Sequence, residues 1–161
     1  MKFYTVKDKY IAYLKTLDTT VPNNYSEKRP YIGIVLEVDS HKFIAPLTSY
    51  KPKQDRIKNS NPTVFKLHER TNPLNKLGMI QLNNMVPVLI SEIDLFDIEN
   101  QPEPYKSMLY KQYEFIKTHE DKILHRSKKL FQLVKSNRES YFGRLCCSFE
   151  LLLSEYQKYQ S

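Results

Sequence analysis

The apolar pattern of this 161-residue chain changes period once, near residue 105, and that switch restricts the fold more than any other feature. Before it, short runs rich in β-branched and aromatic residues alternate with polar punctuation. Residues 31–38 (YIGIVLEV) and 42–47 (KFIAPL) flank Asp39-Ser40-His41 and read as a hairpin. Residues 63–67, 77–82 and 85–90 read as further strands, with Pro87 marking an edge or a bulge. Pro52, Pro62 and Pro73 punctuate a looping segment rich in Lys and Asn. After the switch, Met108, Leu109, Tyr113, Phe115 and Ile116 form a loose helical stripe, which Ile123, Leu124, Leu130, Leu133 and Val134 extend. Residues 148–159 read as a final helix with Phe149, Leu152, Leu153 and Tyr156 on one face and Ser148 placed to cap it. Strands first and helices after imply an α+β chain. The expected form is a compact antiparallel barrel or curved sheet with appended helices, in one domain over residues 1–161.

Charge narrows the class of partner. The formal net charge is +7, and it is unevenly distributed. Residues 51–82 carry seven basic and two acidic side chains, and residues 105–161 carry eleven and six. Between them, residues 83–104 carry five acidic side chains and no basic one. Two basic segments brought together by the fold would suit a polyanion; the competing reading is a set of solvated faces. The first residues show no secretory pattern, and no apolar run approaches a membrane span, so a cytoplasmic protein without a membrane partner is expected. Cys146 and Cys147 are adjacent, a strained geometry for a disulfide, and no zinc-type spacing exists, so reduced thiols and no structural metal are expected.

Familiar catalytic signatures are missing, and with three glycines a Gly-rich phosphate loop is excluded. The four histidines show no pairing. Residues 46–51 (PLTSYK) are more informative, because they end a strand with two hydroxyls and a lysine within four positions. Thr48 and Ser49 can donate to phosphate oxygens, and Lys51 can offset charge developing on phosphorus. The competing reading is a polar β-turn. A second cluster, residues 23–29 (NNYSEKR), holds a phenol and two cations; its competing reading is a polar loop.

A series of motifs in a fixed order then gives the chain a family resemblance. MKFYT at 1–5, KYIAYL at 9–14, VPN at 21–23, YIGIVLEV at 31–38 and HKFIAPLTS at 41–49 are followed by FKLH at 65–68 and PYKSMLYKQYEFI at 104–116. With these the chain resembles the ToxN/AbiQ family, the endoribonuclease toxins of type III toxin–antitoxin systems. The resemblance weakens beyond Ile116.

The resemblance implies an SH3-like antiparallel barrel of the Kid/MazF/CcdB toxin type with added helices. It implies metal-independent, cofactor-free cleavage of adenine-rich RNA by 2′-hydroxyl attack, leaving a 2′,3′-cyclic phosphate and a 5′-hydroxyl. The implied partners are messenger or phage RNA as substrate and a small repeated pseudoknot RNA as antitoxin, held in a closed protein–RNA ring; DNA is not among them. Carried over by position, Thr48, Ser49 and Lys51 match the family's hydroxyl pair and lysine, and Tyr50 stands where proline is frequent. Tyr25 matches a loop tyrosine. A family lysine falls on Arg29 with Lys28 beside it, and either can serve. The expected catalytic set is Tyr25, Arg29, Thr48, Ser49 and Lys51, with RNA contacts from Lys2, Tyr10, Lys28, Lys53 and Lys66. Tyr110, Tyr113, His68 and the two cysteines are expected to pack. Two rival classes share these features: a non-catalytic RNA-binding module, and a topoisomerase-poisoning toxin on the same barrel.

Overall fold

A computed structural model describes residues 1–22 and 32–161. The chain runs β1 (Phe3–Val6), α1 (Asp8–Leu17), β2 (Ile32–Val38), β3 (His41–Thr48), a 3-10 turn (Pro52–Arg56), β4 (Val64–Glu69), β5 (Asn72–Gln81), β6 (Val86–Pro87) and β7 (Ile93–Leu95). Helices α2 (Tyr105–Thr118), α3 (Glu120–Ser136), α4 (Tyr141–Arg144) and α5 (Phe149–Glu155) follow. The expected order of strands and then helices holds, apart from α1. The strands form one seven-stranded antiparallel sheet in the order β4-β5-β3-β2-β1-β7, with β6 also on β3. No pairing among the described residues joins β4 to β7, so the sheet is not closed there.

The β2–β3 hairpin is the frame of the fold. Asp39 and Ser40 have φ of 52° and 66°, and Val38 pairs with His41, which leaves a two-residue loop. Positive φ at both central residues matches the right-handed twist of the flanking strands. His41, expected in the turn, therefore already belongs to β3. Phe43 and Ile44 point to opposite faces of β3, yet neither is exposed, so the strand is covered on both sides. On one side Phe131 of α3 and Phe149 of α5 lie edge-on to Phe43, with centroids 5.9 and 6.0 Å away. Helix α2 covers β4 through Phe115, whose ring is 6.4 Å from that of Phe65, and β5 through Gln112, which donates to the Leu77 carbonyl at 2.7 Å.

Pro87 sits in β6, a two-residue strand, which suits a residue with no N–H to give. Pro73 lies inside β5 rather than in a loop. Ser148 stands at the start of α5 but its side chain does not cap the helix. Asp18, at the end of α1, instead fixes Ser148, the residue before the helix. Its carboxylate accepts from the Ser148 amide at 2.6 Å and from the Thr20 amide and hydroxyl at 2.9 and 2.6 Å. Partial burial raises the Asp18 pKa, but the bonds from Ser148 and Thr20 outweigh it and leave the carboxyl below its usual range. A carboxyl depressed by folding stabilises above its unfolded pKa, and that contribution is lost as pH falls through the folded value. Asp18→Asn is therefore expected to lower stability by about 1 kcal/mol at neutral pH, allowing for solvent screening, and by progressively less in acid. Urea melts of both proteins from pH 7 down to pH 3 check this; a pH-independent difference would contradict it.

Candidate active site

The end of β3 is fixed by two rungs of pairing to β5, Leu47 with Ile80 and Thr48 with Met79. The same rungs continue to β4, where Ile80 meets Phe65 and Met79 meets Lys66. Directly paired residues share a face. Leu47, Ile80 and Phe65 therefore face the helices, and Thr48, Met79 and Lys66 share the other face. Gly78 permits this junction. Its φ is +116°, and a Cβ built there would lie 1.8 Å from the Thr48 carbonyl oxygen. Only glycine allows the two backbones to approach so closely.

Past Thr48 the chain turns through Ser49 and Tyr50 into the 3-10 turn, which Lys51 precedes and Pro52 opens. Pro at the first position of such a turn is pre-set in φ and has no amide to satisfy. Gln54 is the one buried residue of the turn, 5% exposed. Its side-chain amide donates to the Ser49 carbonyl at 3.0 Å and to Thr48 Oγ1 at 3.4 Å. Its backbone N–H donates to the Lys51 carbonyl at 2.9 Å. The Thr48 hydroxyl in turn donates to the Met79 carbonyl at 3.4 Å.

The outside of the turn is held by a second contact set. Tyr50 donates its hydroxyl to Asp55 Oδ2 at 2.7 Å, and Lys76 Nζ meets Asp55 Oδ1 at 2.8 Å. The Lys76 ammonium also lies 5.5 Å from the centre of the Tyr50 ring. Lys76 first, then Tyr50, hold the Asp55 carboxyl below its usual range, and the field of Lys66 adds to this. Tyr50, at a position where proline is frequent in the resembled family, is thus tied down by side-chain bonds instead of a ring. These groups are exposed, so the set orients the turn more than it stabilises the fold.

The structure brings together Thr48, Ser49 and Lys51, with Lys66 level with Thr48 two strands away and Lys53 exposed on the turn. Among the described residues the Ser49 hydroxyl and the Lys51 ammonium have no hydrogen-bond or ion-pair partner. Lys2 is exposed but distant in register: its neighbour Phe3 is level with Ala45 through Ile34, two strands from β3 and short of its end. Tyr10 is not an RNA contact. It is fully buried, donates to the Pro87 carbonyl at 2.6 Å, and burial raises its phenol pKa. The helical spacing of Tyr10, Ile11 and Leu14 turns it inward with them. Tyr25, Lys28 and Arg29 lie outside the described residues.

Of the residues expected to pack, Tyr113, His68 and the two cysteines do so, and Tyr110 does not. Tyr113 lies edge-on to Phe3 at 5.9 Å, and His68 lies 4.4 Å from the Phe115 ring with Nδ1 on the Glu69 carbonyl. Tyr110 is 41% exposed and is tied to Glu99. Both cysteines are free and buried, and burial pushes their thiols up to about 11 for Cys146 and about 12 for Cys147. Such thiols are poor nucleophiles. No cluster of three or more His, Cys, Asp or Glu side chains suited to a metal occurs among the described residues. No helix among them is long and apolar enough to cross a membrane.

Gln54 is not singled out by the sequence. A lone glutamine in a Lys-rich loop has no periodic signal, and its burial comes from the turn folding back on the end of β3.

The arrangement pairs an unengaged hydroxyl and an unengaged ammonium on a rigid strand end, beside a half-buried lysine. It suits binding a phosphodiester and stabilising charge on it. Comparison with known proteins points the same way. Residues 2–157 match the family described as Toxin ToxN, type III toxin-antitoxin system. The chain is 44% identical to endoribonuclease ToxN of Pectobacterium atrosepticum, over 99% of this chain and 94% of that protein. It is 31% identical to endoribonuclease AbiQ of Lactococcus lactis subsp. lactis, over 94% and 85% respectively. A structure solved in a study of a processed non-coding RNA that regulates a bacterial antiviral system superposes with a TM-score of 0.90. It is 40% identical, with all of both chains covered. The structure of AbiQ, a lactococcal anti-phage endoribonuclease, superposes with a TM-score of 0.89 at 28% identity, covering 98% of this chain and 96% of that one.

Proposed function

Since the chain belongs to the ToxN family of type III toxin–antitoxin systems, we propose that it is an endoribonuclease toxin, restrained by an RNA antitoxin and active in phage defence. The observation that carries this reading is the Thr48–Ser49–Lys51 strand end, whose Ser49 hydroxyl and Lys51 ammonium are open while the buried Gln54 holds its backbone carbonyls and Thr48 Oγ1.

The reaction we assign is transesterification within RNA, preferentially at adenine-rich sites. The ribose 2′-oxygen attacks the adjacent phosphorus and gives up its proton to water. The bond from phosphorus to the 5′-oxygen breaks, and that oxygen gains a proton, leaving a 2′,3′-cyclic phosphate and a 5′-hydroxyl. Ribose supplies the nucleophile, so Ser49 need not become covalently bound. Lys51 offsets the charge that builds on the non-bridging oxygens and protonates the leaving oxygen. Ser49 donates to a phosphate oxygen. Thr48 retains a lone pair that can accept from the 2′-hydroxyl. Tyr25 and Lys28 or Arg29 position the substrate, with Lys53 and Lys66 along its backbone. No step calls for a metal or cofactor. The pairing of one edge of β3 first with β6 and then with β5 supports an SH3-like barrel geometry. The pseudoknot antitoxin forms a closed ring with the protein, in the cytoplasm.

The test is incubation with an adenine-rich RNA in excess EDTA, comparing the wild type with Ser49→Ala and mapping the product ends. Expected are cyclic-phosphate and 5′-hydroxyl ends from the wild type and a rate at least about tenfold lower from the variant. RNA bound but never shortened would replace this reading with a non-catalytic binding module.

A further inference from the structure

We propose that Gln54 is a positioning residue for the reaction, holding Thr48, Ser49 and Lys51 in their working arrangement and giving the two hydroxyls different roles. This rests on the ribonuclease reading above. Gln54 is the only buried residue in a turn whose Pro52, Lys53, Asp55 and Arg56 are all exposed. Its bonds reach all three candidate residues: the Ser49 carbonyl at 3.0 Å, Thr48 Oγ1 at 3.4 Å and the Lys51 carbonyl at 2.9 Å.

The orientation of the amide follows from its partners. The Ser49 carbonyl can only accept, so the Gln54 nitrogen must face it. The second amide hydrogen then meets Thr48 Oγ1, whose own hydrogen is directed to the Met79 carbonyl. Thr48 is left as an acceptor, and Ser49 keeps the hydroxyl hydrogen that can reach a phosphate oxygen. Gln54 thus separates two chemically similar hydroxyls without touching RNA. Its burial under the turn keeps water from competing for these bonds.

The test compares wild type, Gln54→Leu and Gln54→Glu. Leucine has a similar size and no donor. Glutamate is an acceptor when ionised but regains a donor when protonated, and burial favours the protonated form. For Gln54→Leu, single-turnover cleavage of adenine-rich RNA is expected to fall about 10- to 100-fold, with RNA affinity within about threefold. Gln54→Glu should match it at pH 8 and gain on it as pH is lowered to 5. Hydrogen exchange of a peptide spanning residues 47–57 should be faster in Gln54→Leu, whether or not the protein cleaves. Wild-type cleavage or unchanged exchange in Gln54→Leu would overturn the proposal. So would equal losses of rate, affinity and melting temperature with no recovery of Gln54→Glu in acid. If the wild type itself fails to cleave, the ribonuclease reading falls by its own arm, and the exchange comparison alone decides whether Gln54 holds the strand end.

Discussion

Lys51→Ala is expected to slow RNA cleavage about 100- to 1,000-fold, the range typical for losing one group that meets charge developing in a transition state. The expectation rests on the position of Lys51, exposed beside the free Ser49 hydroxyl and anchored by its carbonyl to the Gln54 amide. RNA affinity should fall much less. One phosphate contact contributes about one unit to the slope of log affinity against log salt, so a titration over several salt concentrations measures its loss separately from the rate. Lys51→Arg separates the two tasks assigned to the lysine. Arginine restores the charge and the salt slope, but it does not give up a proton near neutral pH. Binding should therefore recover while most of the rate stays lost. Full cleavage by Lys51→Ala would remove the lysine from the mechanism.

Gly78→Ala is expected to combine loss of stability with a steeper loss of activity. The new methyl would lie 1.8 Å from the Thr48 carbonyl oxygen, on a backbone whose φ of +116° L-residues rarely adopt. Backbone strain and a clash with main-chain atoms together suggest about 2–4 kcal/mol of destabilisation, or a melting temperature lower by roughly 10 °C. The strand must yield at Thr48 and Ser49, so cleavage assayed at a temperature where the variant remains folded should still be strongly reduced. An unchanged melting temperature would show that β3 and β5 need not approach so closely.

Elements with strong local signals are legible in the sequence itself. The β2–β3 hairpin shows in its apolar runs around Asp39 and Ser40, and α2, α3 and α5 show in their helical spacing. β1 carries no such signal, and the Tyr10, Ile11 and Leu14 stripe of α1 covers little more than one turn. Four residues, 3–6, become a strand only because β2 and β7 lie on either side of them. Tyr10 shows the limit for single side chains. Expected among the RNA contacts, it is turned inward by the helix onto the Pro87 carbonyl. Within the candidate site, Thr48, Ser49 and Lys51 are legible because they lie within four consecutive positions. Lys66 acquires its place beside Thr48 from register through Met79, and Gln54 from burial. Neither register nor burial is encoded in a short stretch of sequence, and both come from long-range geometry.

β3 is the strand common to two ladders, one running through β2, β1 and β7 and the other through β5 and β4. It joins the second by two rungs, and the candidate site begins at the outer of them. They sit on a joint between two plates rather than on the interior of one. A force prying the plates apart acts first at Thr48, whereas the Phe43–Phe131–Phe149 ring cluster lies on a single plate and can stay intact. Loosening this joint is therefore expected to cost cleavage before it unfolds the core around these rings.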